Sequence, residues 1–486
     1  MAVRFIQAVK GGGSSRLIAC LGLVLGTFIA YSSLINILYT FVFELPPFMD
    51  ILLDLSYTFN SAIALPAVLM LIVFGLLGAP IFVVLGGIAY MLFARVGGAL
   101  EVIPSEAYTM LTGHSIPAIP LFTLTGFILS ESKAGQRLVR LFQAFFGWLP
   151  GGMAIMAVLV CTFFTTFTGA SGVTILALGG LLSYVLISSG KYSSSFSKGL
   201  LTSSGSIGLL FPPSLPIILY GVVAHINIKH MFIGGIFPGV IMVLTLSIIG
   251  VVSAVRNKSK RTPFELKEAV ISVRESIWEI LLPVIIILGF FLGITTLVET
   301  GAIAVMYALI IEVFVHRDLK LKDLGHVLLK CLPIIGGVLV ILALAKGLSY
   351  YIVDAEVPMK LTAWARANIQ SKYLFLILLN IALLITGCLM DIFSAITVVV
   401  PLIIPLGAVF GIHPVHLGII FLANLELGYL TPPVGINLFL ASYRFNESLV
   451  KIYRDVLPFF LALLFTVLLI TYVPFISTGL LKLLGL

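Results

Sequence analysis

Two Pro-Pro pairs lie inside membrane-length apolar stretches of this chain, 220 positions apart: Pro212-Pro213 in GLLFPPSLP (208–216) and Pro432-Pro433 in GYLTPPVGI (428–436). Proline lacks the N–H a helix interior needs and clashes with the preceding turn, so a pair of prolines interrupts a helix. In lipid the freed backbone N–H and C=O groups are costly unless protein, water or a ligand satisfies them. One such break reads as an ordinary membrane-helix kink. Two at matched positions constrain the fold: both must be satisfied inside the protein.

Composition makes lipid the relevant solvent. Of 486 residues, 60% are hydrophobic and 10% charged, against about 25% charged in soluble domains. The polar stretches 256–275 and 354–372 are each too short to bury a core of their own. The expected fold class is an all-α polytopic integral membrane protein. The net charge of +8 comes from basic residues scattered over loops, which sets topology and leaves no nucleic-acid patch. Cys20, Cys161, Cys331 and Cys388 lie in apolar segments without metal-ligand spacing and read as packing residues. The apolar stretch from Arg16 to Phe43 exceeds the roughly 7–15 residues of a signal-peptide core, so a retained membrane helix is expected there.

Several apolar segments exceed the roughly 20 residues of one span and are interrupted by Gly or Pro, at LGAP (77–80), TGASG (168–172) and the two Pro-Pro sites. They read as helix pairs or re-entrant hairpins. Segments 1–16, 131–140, 191–198, 256–274, 316–330 and 444–454 hold 21 of the 28 Lys and Arg residues. Crossing parity puts all six on the cytoplasmic side if 168–188 is a hairpin entering from that side. The N-terminus is then cytoplasmic and the C-terminus periplasmic.

The 220-residue offset also aligns Ser204 with Asn424 and Leu210 with Leu430, while Thr168-Gly169 and Thr386-Gly387 stand 218 apart. LTGFILS (124–130) matches AKGLSYY (345–351) loosely. Each repeat reads as a spanning helix, an amphipathic arm, a hairpin with a TG-rich tip, and a broken helix. The arms, 131–148 and 354–372, mix basic and apolar residues with a Trp, as interfacial helices do. By the charge pattern they lie on opposite sides, so the repeats are inverted. Inverted repeats with discontinuous helices mark a secondary transporter. The expected organisation is an extension with one extra transmembrane helix over 1–60, scaffold helices over 61–115, the first repeat over 116–225, scaffold helices and a cytoplasmic loop over 226–325, the second repeat over 326–445, and a C-terminal scaffold helix over 446–486.

Half-helix N-termini favour an anionic substrate, and carbonyls and hydroxyls at the breaks suit Na⁺. In the first half the expected cation donors are Gly169, Ser171, Ser203, Ser204, Gly205 and Gly208. In the second they are Gly387, Thr397, Asn424, Gly428, Thr431 and Pro432. Ser171, Thr174, Asp391, Ser394, Lys346 and Asn437 are the expected substrate-facing residues. Charges inside apolar spans default to function with a named partner. Asp391, at the second tip, is the leading candidate for coupling. Glu426 either serves a cation site or pairs with Lys346, and Lys346 either pairs or meets a substrate carboxylate. Gly169-Ala170-Ser171-Gly172 also matches the GxSG of intramembrane serine proteases, but all seven histidines fall in loops or near span ends, leaving that serine without a base. No enzyme activity is expected.

TGASG, GSIGLLFPPSLPIILYG (205–221) and NLELGYLTPPVGINLF (424–439) resemble the large membrane subunit of tripartite ATP-independent periplasmic (TRAP) transporters, the DctM-like permeases, over about 61–476. The resemblance implies an elevator-type, Na⁺-driven importer of small carboxylates in a bacterial inner membrane. It also implies two partners, a periplasmic solute-binding protein and a small four-helix membrane subunit. A binding-protein-independent carboxylate transporter of the same inverted architecture, coupled to Na⁺ or H⁺, is the alternative.

Overall fold

The computed structural model describes residues 31, 46–76, 79–96, 100–257 and 263–486. The helix expected over 17–43, with Cys20, lies outside the described residues. So do 77–78 of the LGAP junction. Among the described residues every regular element is helical, and eight helices are long and apolar enough to cross a membrane, or nine if one bent pair counts as a single span.

The chain divides into two units. The first comprises the described residues up to 109 together with 343–355. It holds α1 (Pro47–Leu76), α2 (Ile81–Val96), most of α3 (Val102–Leu111) and the last turns of α13 (Leu324–Asp354). The α1–α2 hairpin turns at Ala79-Pro80, where the Ala79 N–H donates to the Phe74 carbonyl at 2.8 Å. Phe93 packs edge-on against Tyr351, with ring centroids 5.2 Å apart. Lys346 Nζ lies 3.8 Å from Glu106 Oε2. Glu426, in the second unit, is buried, and neither of its carboxyl oxygens has a hydrogen-bond partner.

The second unit holds the remaining helices. They are α4 (Ala118–Glu131), α5 (Ala134–Phe146), α6 (Gly152–Thr168), α7 (Ser171–Ser188), α8 (Ser194–Ser204), α9 (Leu215–Val223), α10 (Ile228–Arg256), α11 (Leu266–Phe291), α12 (Leu297–Leu309), α14 (Val357–Asn368), α15 (Lys372–Leu389), α16 (Ile392–Val409), α17 (Pro414–Gly428), α18 (Ile436–Phe445), α19 (Leu449–Tyr472) and α20 (Phe475–Leu483). A 3₁₀ turn, Ile207–Leu210, follows α8, and a π-helical turn, Ile310–Val315, continues α12.

Two motifs repeat. Helices α6 and α7 form a hairpin whose tip is Gly169-Ala170, and α15 and α16 form another with its tip at Met390-Asp391. Gly169 closes α6 in the left-handed conformation, φ +63°, and its N–H donates to the Thr165 carbonyl. Only glycine enters that region without a steric penalty. Helix α8 breaks over Phe211–Ser214 before α9, with a 46° bend, and α17 breaks over Tyr429–Gly435 before α18. Both Pro-Pro peptides are cis.

Packing crosses the repeats. The first helix of each hairpin lies on the first half of its own broken helix, α6 on α8 and α15 on α17. The second helix lies on the far half of the other repeat's broken helix, α7 on α18 and α16 on α9. Glycines set these distances. A Cβ on Gly428 would stand 2.6 Å from the Cα of Gly387, and one on Gly126 would stand 2.6 Å from the Cα of Thr168. The two amphipathic stretches form α5 and α14, which pack on α6 and α16 respectively.

Arm α5 is pinned by two arginines: Arg140 bonds Glu268 and Glu275 of α11 at the surface, and Arg137 holds a buried junction. Arg137 donates from Nε to Glu279 Oε1 at 2.5 Å, from Nη1 to Asp318 Oδ2 at 2.5 Å and from Nη2 to Glu312 Oε2 at 2.9 Å. Glu279 lies on α11 and Glu312 in the π-helical turn, and both carboxylates are fully buried. A guanidinium supplies five donors in a rigid fork, which is why Arg suits such a junction. His316 stands 3.6 Å from Glu279. Burial, and then the Arg137 charge, hold its imidazole below the usual histidine value.

Candidate functional site

Both hairpin tips and the second helix break open onto one cavity of about 270 Å³. Gly169, Ser171 and Gly172 line it from the first tip, Asp391 and Phe393 from the second, and Tyr429 and Ile436 from the second break. Three helix N-termini therefore meet there, those of α7, α16 and α18. The first N–H groups of a helix have no intrahelical partner and carry the positive end of its dipole.

These N-termini are finished differently. At α16, Asp391 is the N-cap: Oδ2 accepts from the N–H groups of Phe393 at 3.0 Å and Ser394 at 3.2 Å, while Oδ1 accepts from the Ser394 hydroxyl. Helices α7 and α18 start at Ala170 and Gly435, neither of which has a side-chain cap. A single hydrogen bond joins these two uncapped ends: Ser171 Oγ donates to Asn437 Oδ1 at 2.6 Å. Asn437 is fully buried, and its Nδ2 has no partner. The Ser171 hydroxyl is thus committed to an amide oxygen rather than to a base.

The first break is supported by hydroxyls that sequence reasoning missed. Thr165 Oγ1 donates to the Gly205 carbonyl at 2.7 Å and lies 2.7 Å from Thr174 Oγ1. Thr166 Oγ1 lies 3.1 Å from the Gly208 carbonyl. The TT doublet one turn before the tip was the available signal. Ser203 is fully buried without a hydrogen-bond partner for Oγ, and Ser204 donates to the Leu201 carbonyl at 3.3 Å. Carbonyls and hydroxyls, with no charged group, are what Na⁺ takes at an interrupted helix. The orphaned Ser203 hydroxyl beside this set fits that ion.

The second half is more committed. Asn424 Nδ2 donates to Asn380 Oδ1 at 2.7 Å, and Thr471 Oγ1 donates to the same oxygen at 3.1 Å. Asn380 and Thr471 were also missed; neither belongs to a motif. Thr397 and Thr431 donate back to the carbonyls of Phe393 and Leu427. Cys388 Sγ lies 3.3 Å from the Pro432 carbonyl, and the Gly435 N–H reaches the Cys388 carbonyl at 3.2 Å. Gly387 and Gly428 are the helix-crossing contact described above. Lys346 pairs with Glu106 within the first unit.

Paired hairpins and paired broken helices around one central cavity are the construction of a secondary transporter. Residues 68–476 match the family model described as the DctM component of the tripartite ATP-independent periplasmic transporter, and the chain belongs to that family of large permease proteins. It is 33% identical, over 78% of this chain and 88% of the other, to the C4-dicarboxylate TRAP transporter large permease protein DctM of Pseudomonas aeruginosa. It is 30% identical to the protein of the same name from Vibrio cholerae, over 85% and 97%. It is 32% identical to the isethionate TRAP transporter permease protein DctMQ of Oleidesulfovibrio alaskensis, over 82% of this chain and 64% of that one. The fold is also similar to the Alcanivorax borkumensis YdaH transporter, with a TM-score of 0.58 at 16% identity, covering 85% of this chain and 98% of that one.

Proposed function

We propose that this permease imports a small organic acid by an elevator movement of its hairpin and broken-helix units, driven by Na⁺. The observation that carries the reading is the meeting of two uncapped helix N-termini, α7 and α18, at one cavity through the Ser171–Asn437 hydrogen bond. Unpaired N–H groups and an orphaned amide Nδ2 are donors, so the group they suit is an oxyanion. The cavity is small beside the roughly 300–1,000 Å³ of drug-sized sites, which suits a short acid. The relatives named for C4-dicarboxylates and isethionate support the same class.

Ser171, held by Asn437, orients the anionic head. Asp391, with both oxygens occupied by the first turn of α16, positions the second tip. Gly205, Gly208, Ser203 and Ser204, backed by Thr165 and Thr166, would hold Na⁺ at the first break. Gly387, Gly428, Thr397 and Thr431 form the second candidate set, with Asn424 fixed behind them. Bound Na⁺ would supply positive charge beside the substrate and take up the spare lone pairs of the break carbonyls.

A periplasmic solute-binding protein and a small membrane subunit complete the transporter in a bacterial inner membrane, with the N-terminus cytoplasmic and the C-terminus periplasmic. The test is uptake of radiolabelled succinate, isethionate and related acids into proteoliposomes holding the permease, the small subunit and a loaded binding protein. Uptake of one acid that rises with an inward Na⁺ gradient is expected. Uptake indifferent to the gradient would remove the Na⁺ assignment.

A further inference from the structure

A second pocket, of about 160 Å³, opens where α15 and α17 begin and α19 ends. Its polar walls are Lys372, His413, His416 and Lys482, and its apolar walls include Pro474, Leu481 and Leu486. Neither lysine forms an ion pair among the described residues. His416 is buried and spends both ring nitrogens on the protein, Nδ1 on Ser477 Oγ at 2.7 Å and Nε2 on the Thr471 carbonyl at 3.2 Å. It is therefore a fixed wall. His413 accepts the Val415 N–H on Nδ1.

Burial, and then the charges of Lys482 and His230, hold the His413 imidazole below the usual value. A cluster of basic side chains, with no acidic side chain lining the same pocket, is poised for an anion. This end of the molecule is also the one the charge pattern leaves poor in Lys and Arg, so the cluster is not explained by topology setting.

The pocket's rim names the kind of anion. Short helix α20 buries Ser477, Thr478 and Leu481 against the protein and leaves Phe475, Leu483 and Leu484 exposed. Exposed apolar side chains beside a basic pocket at the ends of spanning helices match an amphiphile, whose tails lie along α20 and whose head enters the pocket. We propose that the pocket binds the phosphate headgroup of an anionic phospholipid, held by Lys372 and Lys482 with His413. A lipid there would lie against the entry to α17, the helix that carries the second break. The inference does not depend on the transported substrate.

The experiment is native mass spectrometry of the full chain released from nanodiscs of mixed phosphatidylglycerol and phosphatidylcholine. Retention of phosphatidylglycerol over phosphatidylcholine is expected. The double variant Lys372→Ala/Lys482→Ala should weaken that preference about 30-fold, and Lys267→Ala, an exposed lysine elsewhere, should not change it. Both pocket lysines are solvent-exposed, so the double variant is expected to fold; a thermal melt matching the parent checks this. Absence of a preference in the parent, or its survival in the double variant, would overturn the proposal. Displacement of the lipid by millimolar inorganic phosphate or succinate would assign the pocket to a soluble oxyanion and overturn the lipid assignment.

Discussion

Ser171 and Asn437 are 266 positions apart and share one hydrogen bond at the meeting point of two uncapped helices. Removing the hydroxyl leaves a buried amide oxygen unpaired, at a cost of about 1–3 kcal/mol. Ser171→Ala is therefore expected to raise the substrate KM about 10- to 100-fold, measured as uptake in proteoliposomes. Asp391 makes a contrasting case. Asn caps a helix about as well as Asp, so Asp391→Asn should preserve uptake while Asp391→Ala should lose much of it. Abolished uptake in the Asn variant would instead give the charge itself a part in coupling. Ser171 and Asp391 both belong to sequence motifs, and their place at the hairpin tips was legible. Their roles were not: a tip carboxylate in a sequence does not reveal that its own helix will occupy both of its oxygens.

Among elements, the crossing of α15 and α17 is set by two glycines in contact. Gly428→Ala would bring a methyl group to 2.6 Å of Gly387 backbone atoms. Backbone cannot yield as a side-chain end does, so a loss of about 1–3 kcal/mol is expected, read as a lower melting temperature in detergent. The sequence matched Gly387 to Gly169 and set Gly428 at the second break, and both read as cation donors. Their close approach needed the fold, since the spacing between helices is not encoded within either one.

A second element-scale test concerns the loop between α18 and α19. Glu447 accepts from Lys198 of α8 and from Lys451, each at 2.7 Å, and these bonds hold its carboxyl down to about 2. A depressed carboxyl contributes stability above its unfolded value of about 4.3 that is lost as pH falls toward its folded value. Glu447→Gln should therefore narrow the difference in melting temperature between pH 7 and pH 3, by removing the part that the parent loses over this window.

For the whole molecule, Arg137 ties arm α5 to α11, to the π-helical turn and to Asp318. Removing the guanidinium strands two fully buried carboxylates. Arg137→Gln is expected to lower stability by about 3–5 kcal/mol, seen as poor accumulation in membranes and a lower melting temperature. Arg137→Lys should recover only part, because a single ammonium cannot reproduce the fork. The sequence marked this arm as amphipathic and basic, and its charge read as a topology signal. Three of its partners lie 142 to 181 positions downstream, and nothing local announces them.

Hydropathy, charge placement and two Pro-Pro motifs by themselves determined a polytopic helical protein with two inverted, interrupted repeats. Those properties follow from local chemistry: apolar length, the bias of Lys and Arg, and the missing proline N–H. Tertiary structure alone decided that the hairpins exchange partners across the repeats, that Thr165 and Thr166 support the first break, and that Asn380 and Thr471 lock Asn424. It also decided that Lys346 meets Glu106, 240 positions before it. The physical reason is that a buried polar group takes whichever partner packing brings within hydrogen-bonding reach, and in this chain most of those partners come from distant helices.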